Sequence, residues 1–178
     1  MVLISAIVVY GIWSASNVQD GTLTVNALSS NRYYTAFGLN VTASVGSRDV
    51  TTPMTLSLAQ GAYTVTFSAE PWFTTPTAID VTVAGGKHAY AVGTYDPIVE
   101  YVSVGGGQFN STSLDALHGV TPVVWVNPSS SDQIIYSQPT GRVEVLPMQN
   151  YTYIFQHPGT FVFSFPLNAS PNLQVTVS

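Results

Sequence analysis

Most of the chain alternates apolar and polar residues with a period of two, the pattern of β-strands that bury one face. In the first half, alternating runs cover residues 22–26, 39–45, 54–58, 63–67 and 79–83. Clusters rich in Gly, Ser, Asn and Asp separate these runs, and such clusters favour turns. Strands of about five residues with frequent turns predict an antiparallel β-sandwich.

A second series of alternating runs follows Asp96-Pro97. It covers residues 98–104, 120–126, 134–136, 143–146, 151–155, 160–165 and 173–177. We therefore predict an all-β chain with two small antiparallel sandwiches, at 18–96 and 97–178, after a hydrophobic segment at 1–17.

Two local predictions concern the second sandwich. Residues 111–117 favour one or two helical turns, with Thr112 as the N-cap and Asp115 in the first turn. In the last hairpin Phe161, Phe163 and Phe165 share one strand face. Together with Trp125, they are the predicted core of this sandwich.

Residues 2–15 form the longest apolar run, VLISAIVVYGIWSA. As a helix this run would span roughly 21 Å, less than the roughly 30 Å of a bilayer core. Four interpretations stay open: an uncleaved membrane anchor, the core segment of a pilin-like filament subunit, a donor strand for a neighbouring copy, or a buried helix. The nearest basic residues are Arg32 and Arg48, both downstream, so charge does not orient the segment.

The chain is unusually poor in charge. Only 7% of its 178 residues are charged and 46% are hydrophobic, whereas about 25% are charged in an ordinary domain. A neutral, hydroxyl-rich surface predicts an extracellular or cell-surface location, especially in an acidic setting. The chain has no cysteine, which is ordinary for archaeal-type surface proteins. Four basic residues and a net charge of −5 exclude a nucleic-acid-binding surface.

The chemistry-bearing residues do not form a recognisable site. His88, His118 and His157 lie in separate predicted segments, whereas a metal site needs three or four converging ligands. No serine sits in a nucleophile elbow, and the acidic residues are scattered. We therefore expect no enzymatic activity, no metal and no cofactor.

Four N-x-S/T sequons begin at Asn40, Asn110, Asn150 and Asn168. Asn40 falls on the polar phase of its strand, and the other three fall in predicted loops. Sequons at the surface of an exported chain predict N-glycosylation.

A candidate contact patch lies in the loop Glu70-Pro71-Trp72-Phe73. Trp72 and Phe73 beside an acid suit contact with a sugar or a protein. The alternative is that the loop folds over the end of the sandwich and buries both rings.

Residues 21–95 contain TPMTLSLAQGAYTV followed by IDVTVAGG. These segments resemble the T-P-x-T-x-x-L-x-x-G-x-Y-x-V signature and closing strand of PEGA and carboxypeptidase-regulatory-like modules. The resemblance implies a non-catalytic spacer or binding platform on a surface protein.

The last 80 or so residues contain VVWVNPSSSDQIIYS and YTYIFQHPGTFVFSF, which resemble the second half of a cupredoxin. The resemblance places Gln133 at the first copper histidine, Phe165 at the cysteine, Asn168 at the second histidine and Pro171 near the methionine. It therefore implies a cupredoxin-like fold without its copper ligands, since blue copper sites require a thiolate.

Two functions follow from these expectations. One is a non-enzymatic, glycosylated structural subunit of a pilus, filament or surface layer, which forms homo-oligomers through its apolar N-terminus. The alternative is an accessory, copperless cupredoxin-like ectodomain of a membrane-bound respiratory oxidase, whose partners are the other subunits of that complex.

Overall fold

The computed structural model describes residues 19–30, 38–138, 140–166 and 168–178. Every regular secondary-structure element in these ranges is a β-strand, so the predicted all-β class is confirmed. The described residues accordingly include no helix that is long and apolar enough to cross a membrane. The hydrophobic segment at 1–17 lies outside the described residues.

Eight strands form two four-stranded sheets in the first half of the chain. They are β1 (Gly21–Ser29), β2 (Thr42–Val45), β3 (Arg48–Thr51), β4 (Met54–Leu58), β5 (Gly61–Phe67), β6 (Phe73–Thr74), β7 (Ile79–Val83) and β8 (His88–Pro97). The sheet orders are β4-β1-β8-β6 and β3-β2-β5-β7. Strand β1 pairs antiparallel with β4 and parallel with β8 over eight residues, Thr22–Ser29 opposite His88–Tyr95.

The strict alternation of β1 explains its central position. Leu23, Val25 and Ala27 are completely buried, while the residues between them face outward and are half-buried. Each buried valine or leucine contributes about 1.5–3 kcal/mol relative to exposure. Tyr95 of β8 completes this core, and its hydroxyl donates a 2.6 Å hydrogen bond to the Ser68 carbonyl.

Nine strands form two further sheets in the second half. They are β9 (Glu100–Gly105), β10 (Gln108–Phe109), β11 (Ser113–Ala116), β12 (Pro122–Val126), β13 (Gln133–Ser137), β14 (Gly141–Val145), β15 (Asn150–Ile154), β16 (Gly159–Phe165) and β17 (Asn168–Val177). The sheet orders are β10-β9-β12-β15 and β11-β17-β16-β13-β14. The pairs β9–β12 and β11–β17 are parallel, and the other pairs are antiparallel.

The predicted aromatic core of this half is largely confirmed. Trp125, Phe163 and Phe165 are buried, with the Trp125 and Phe163 ring centroids 4.9 Å apart. Phe161 is only half-buried, and its ring stacks on Phe155 at 4.9 Å.

The helix predicted at 111–117 is wrong. Ser113–Ala116 instead forms β11, which runs parallel to β17 with Ser113 opposite Gln174. The amide of Gln174 also donates to the Thr112 carbonyl. Because these backbone groups are paired with a distant strand, the local helix-capping pattern is overridden.

The two halves have separate buried clusters, with one overlap in sequence. Leu117 and Val120, which follow β11, pack with the core of the first half. The domain boundary between residues 96 and 97 stays a prediction, although β8 runs through Pro97 and β9 begins at Glu100.

Candidate functional site

The loop between β12 and β13, where the cupredoxin resemblance places the first copper ligand, is organised around Asn127. This side chain is completely buried. Its Nδ2 donates 2.8 Å hydrogen bonds to the carbonyls of Ser131 and Val145. Its Oδ1 accepts hydrogen bonds from the amide and hydroxyl of Ser129, at 3.0 and 2.6 Å. Asn127 therefore fixes the loop to strand β14.

Gln133 belongs to the same network. Its side chain is buried, and its Nε2 donates to the hydroxyls of Ser129 and Ser131 at 3.3 and 3.2 Å. Its Oε1 accepts a 3.3 Å hydrogen bond from the amide of Gly107 in the β9–β10 turn. Both ends of the amide thus link two loops of the protein.

Phe165, at the predicted cysteine position, is part of the apolar core. It is buried, and its ring centroid lies 4.6 Å from that of Phe109. The side chains of Asn168 and Pro171 lie outside what the structure describes. At this corner, the Gln133 side chain therefore links two loops and the Phe165 ring packs in the core.

The three histidines lie apart, each with its own surroundings. The two ring nitrogens of His88 hydrogen-bond to Thr22 Oγ1 at 2.6 Å and Thr24 Oγ1 at 3.0 Å. The Nδ1 of His118 donates to the Ser178 carbonyl at 2.7 Å, and His157 is exposed beyond β15. Across the described residues, no three His, Cys, Asp or Glu side chains are grouped to hold a metal ion.

The aromatic pair Trp72 and Phe73 does not form an open patch. Phe73 is 8% exposed, and its ring meets the Tyr95 ring edge-on with centroids 6.2 Å apart. Trp72 is half-buried against the same core, and its carbonyl accepts a 2.8 Å hydrogen bond from Ile98. Its backbone is left-handed, with φ of 70°, a conformation that is uncommon for a bulky residue. The loop folds over the sandwich because these rings bury more favourably than they hydrate.

The sequons lie at the surface where their side chains are described, since Asn40, Asn110 and Asn150 are exposed. Their predicted positions need correction in three cases, since Asn40, predicted in a strand, precedes β2, which begins at Thr42. Asn150 is the first residue of β15 and Asn168 the first of β17, so both stand at strand starts. Whether any of the four carries a glycan stays a prediction.

No protein-family model and no curated protein matches the chain. Among solved structures, it is similar to a copper-binding protein in the apo form, with 19% identity and a TM-score of 0.36 over 45% of this chain and 86% of that one. A purple cupredoxin from Nitrosopumilus maritimus gives 18% identity and a TM-score of 0.36 over 44% of this chain and 99% of that one. The Bacillus anthracis TIE protein gives 12% identity and a TM-score of 0.47 over 90% of this chain and 33% of that one.

These similarities assign no fold family to this chain. They say nothing about activity or partners. No family model supports the resemblance of residues 21–95 to PEGA and carboxypeptidase-regulatory-like modules, which stays a prediction.

Proposed function

We propose that the chain is a non-enzymatic structural subunit of a cell surface, with the apolar segment 1–17 driving the assembly of copies. The observation that carries the proposal is the corner at β12–β13. There Gln133 and Phe165 link and pack the fold, at positions where the cupredoxin resemblance would put copper ligands. A cupredoxin-like framework kept for its rigidity suits a structural role.

The character of the surface supports an exposed extracellular setting. Neutral hydroxyl groups, which do not titrate, form hydrogen bonds across neighbouring strands on the surface. For example, the hydroxyls of Thr24 and Thr55 are hydrogen-bonded at 2.7 Å on the outer face of β1 and β4. The described residues contain one ion pair between side chains, Arg142 with Glu144 at 3.0 Å, and both partners are well exposed. Such a pair contributes at most about 1 kcal/mol. Within the described residues, acid therefore removes a single ion pair between side chains, and glycans at the sequons would add further neutral surface.

The proposal is tested by deleting Met1–Asn17. Full-length and truncated chains from the same preparation are compared by light scattering coupled to size exclusion, and by negative-stain electron microscopy. We expect filaments or large assemblies from the full chain and a folded monomer from the truncated one. A truncated chain that still assembles would contradict the assigned role of the segment, as would a full chain that stays monomeric.

A second candidate is the accessory subunit of a membrane-bound oxidase, which the cupredoxin-like second half favours. In this case the same corner, without a metal, would bind another subunit of the oxidase. The discriminating experiment is affinity purification of the tagged chain from solubilised membranes of its host. Co-purifying haem, seen by its absorption spectrum, supports this candidate, and haem-free filaments support the first.

A further inference from the structure

A groove of about 350 Å³ opens beside strand β8 in the first half of the chain. One wall is the segment that leaves β6, with Thr74, Thr75 and Thr77. The other is the outer face of β8, which contributes Thr94. The groove exists because β6 is only two residues long and covers β8 only at its end, where Thr74 lies opposite Asp96. Its volume is within the range of small-molecule sites.

The hydroxyls of these four threonines have no hydrogen-bond partner among the described residues. Elsewhere on the same sheet, threonine hydroxyls are engaged; for example, Thr22 and Thr24 bond to His88. Each free hydroxyl offers one donor and two acceptor positions. The groove therefore brings together uncharged hydrogen-bonding groups that no other described residue engages.

The remaining lining defines the charge and polarity of a ligand. Pro76, Ile79 and Val92 supply apolar surface between the threonines. The only ionisable residue of the lining is Asp96, whose Oδ1 accepts a hydrogen bond from the Ser30 hydroxyl. One carboxylate without a neighbouring base disfavours anions, and it is too few ligands for a metal ion.

An aromatic ring extends the groove along β8. Tyr90 is 67% exposed, and it lies two residues before Val92 on the same strand face, about 7 Å away. The ring of His88 meets it at a centroid distance of 4.4 Å and limits its rotation. An exposed, supported tyrosine next to free hydroxyls presents a flat apolar face and a polar edge together.

We propose that this groove binds a neutral saccharide. A sugar ring carries hydroxyls that match the four threonines, and C–H faces that match Val92, Ile79 and the Tyr90 ring. The ligand is an uncharged glycan segment, from either a neighbouring copy's N-glycan or a polysaccharide of the surroundings. This site is independent of the proposed assembly through residues 1–17, so it should persist in a monomeric chain.

The test is a titration of the isotope-labelled full chain followed by two-dimensional amide NMR, recorded in solution for a monomer and by magic-angle spinning for an assembly. The probes are neutral tetrasaccharides of glucose, mannose or galactose, and the glycans released from this same protein after its purification from the natural host. We expect saturable shifts at the amides of Thr74, Thr75, Thr77 and Thr94, with a dissociation constant of about 1 mM or below. Shifts with the released glycans alone identify a neighbouring copy as the source, and shifts with a tetrasaccharide alone identify a polysaccharide.

Variants decide whether the groove is responsible. Removing two hydroxyls with Thr75→Val and Thr94→Val should weaken binding about tenfold, and Tyr90→Ala should weaken it about three- to tenfold. The matched control is Thr66→Val, an exposed threonine on β5 of the opposite sheet, which should bind as the wild type does. Amide spectra establish that each variant is folded.

Three results would overturn the inference. They are the absence of saturable shifts with every saccharide and peptide, equal weakening by Thr66→Val and by the double variant, and shifts at the amides of Thr74, Thr75 and Thr77 from a threonine-rich peptide but from no sugar. The last result would reassign the groove to an extended peptide that pairs with the open part of β8.

Discussion

Replacing Asn127 with alanine should destabilise the protein by about 3 kcal/mol, far more than an ordinary polar-to-alanine change. The side chain makes four hydrogen bonds, two through its Nδ2 and two through its Oδ1. Each contributes about 0.5–1.5 kcal/mol net, which gives roughly 2–6 kcal/mol for the four. The lower half of that range applies because Ser131 is exposed and water can replace its lost partner. The Val145 carbonyl loses a donor at a buried position and has no such replacement.

The measurement is equilibrium unfolding in guanidinium, followed by circular dichroism and by tryptophan fluorescence, with the free energy taken from the midpoint and slope. Asn110→Ala is the matched control, in chain made without glycosylation. Asn110 is exposed, and its Oδ1 accepts one 2.8 Å hydrogen bond from the Ser103 amide. Its loss should cost less than about 1 kcal/mol.

A second substitution at the same site, Asn127→Asp, adds a pH dependence with a definite sign. The new carboxylate would face the carbonyl oxygens of Ser131 and Val145, and burial there raises its pKa above the unfolded value of about 3.9. A raised folded-state pKa means that stability is retained below the unfolded pKa and lost as the pH rises through the folded pKa. The variant should therefore approach the wild type near pH 3 and fall below Asn127→Ala at pH 7.

An Asn127→Ala variant that costs no more stability than Asn110→Ala would contradict the bracing role assigned to this side chain. A stability of Asn127→Asp that does not change between pH 3 and pH 7 would also contradict it. Either result would mean that the loop is held by its backbone, with Asn127 only filling space.

Three further predictions address other parts of the chain. Gly93→Ala should cost about 2 kcal/mol in thermal or chemical unfolding, because a Cβ there would lie 2.8 Å from the buried Phe67 ring; Gly61→Ala, whose first neighbour would be at 3.8 Å, should change little. Burial raises the pKa of Tyr95 above 10.0, so the stability that this residue contributes should hold below about pH 10 and fall above it; Tyr95→Phe should remove that alkaline loss and cost about 1 kcal/mol at pH 7. With Phe165 where the cupredoxin resemblance places the thiolate, the chain mixed with Cu(II) should show no intense visible charge-transfer band, and the appearance of one would contradict the copperless prediction.

Much of the fold is predictable because the signal is local. In β1 the apolar residues Leu23, Val25 and Ala27 alternate with polar ones, and this alternation predicts both a strand and its buried face. The same holds for Trp125 and Phe163, whose positions in apolar runs predict the core of the second half. Alternation is a property of neighbouring residues, and for this reason a single sequence reveals it.

Other features of the structure depend on contacts between residues that are far apart in the sequence, which a single sequence does not show. Strand β11 pairs with residues about 60 positions later, and that partner decides its conformation against a local preference for a helical turn. The packing of Trp72 against the core corresponds to one of the two alternatives that the sequence leaves open, and its neighbours in sequence do not choose between them. The groove was missed too, because Thr94 joins Thr74, Thr75 and Thr77 only once β6 pairs with β8.

The parallel pairing of β1 with β8 determines when the first half can fold. Its central strand is completed only by residues 66 positions further along, at Thr22 opposite His88. Contacts between such distant segments slow folding, typically to milliseconds or seconds for all-β domains. A chain that emerges progressively from a ribosome or an export channel therefore exposes an incomplete sheet until Tyr95 has appeared. Strands β1 to β7 must avoid self-association during that interval. The many Thr and Ser residues at the outward positions of these strands keep the outer face of the incomplete sheets polar.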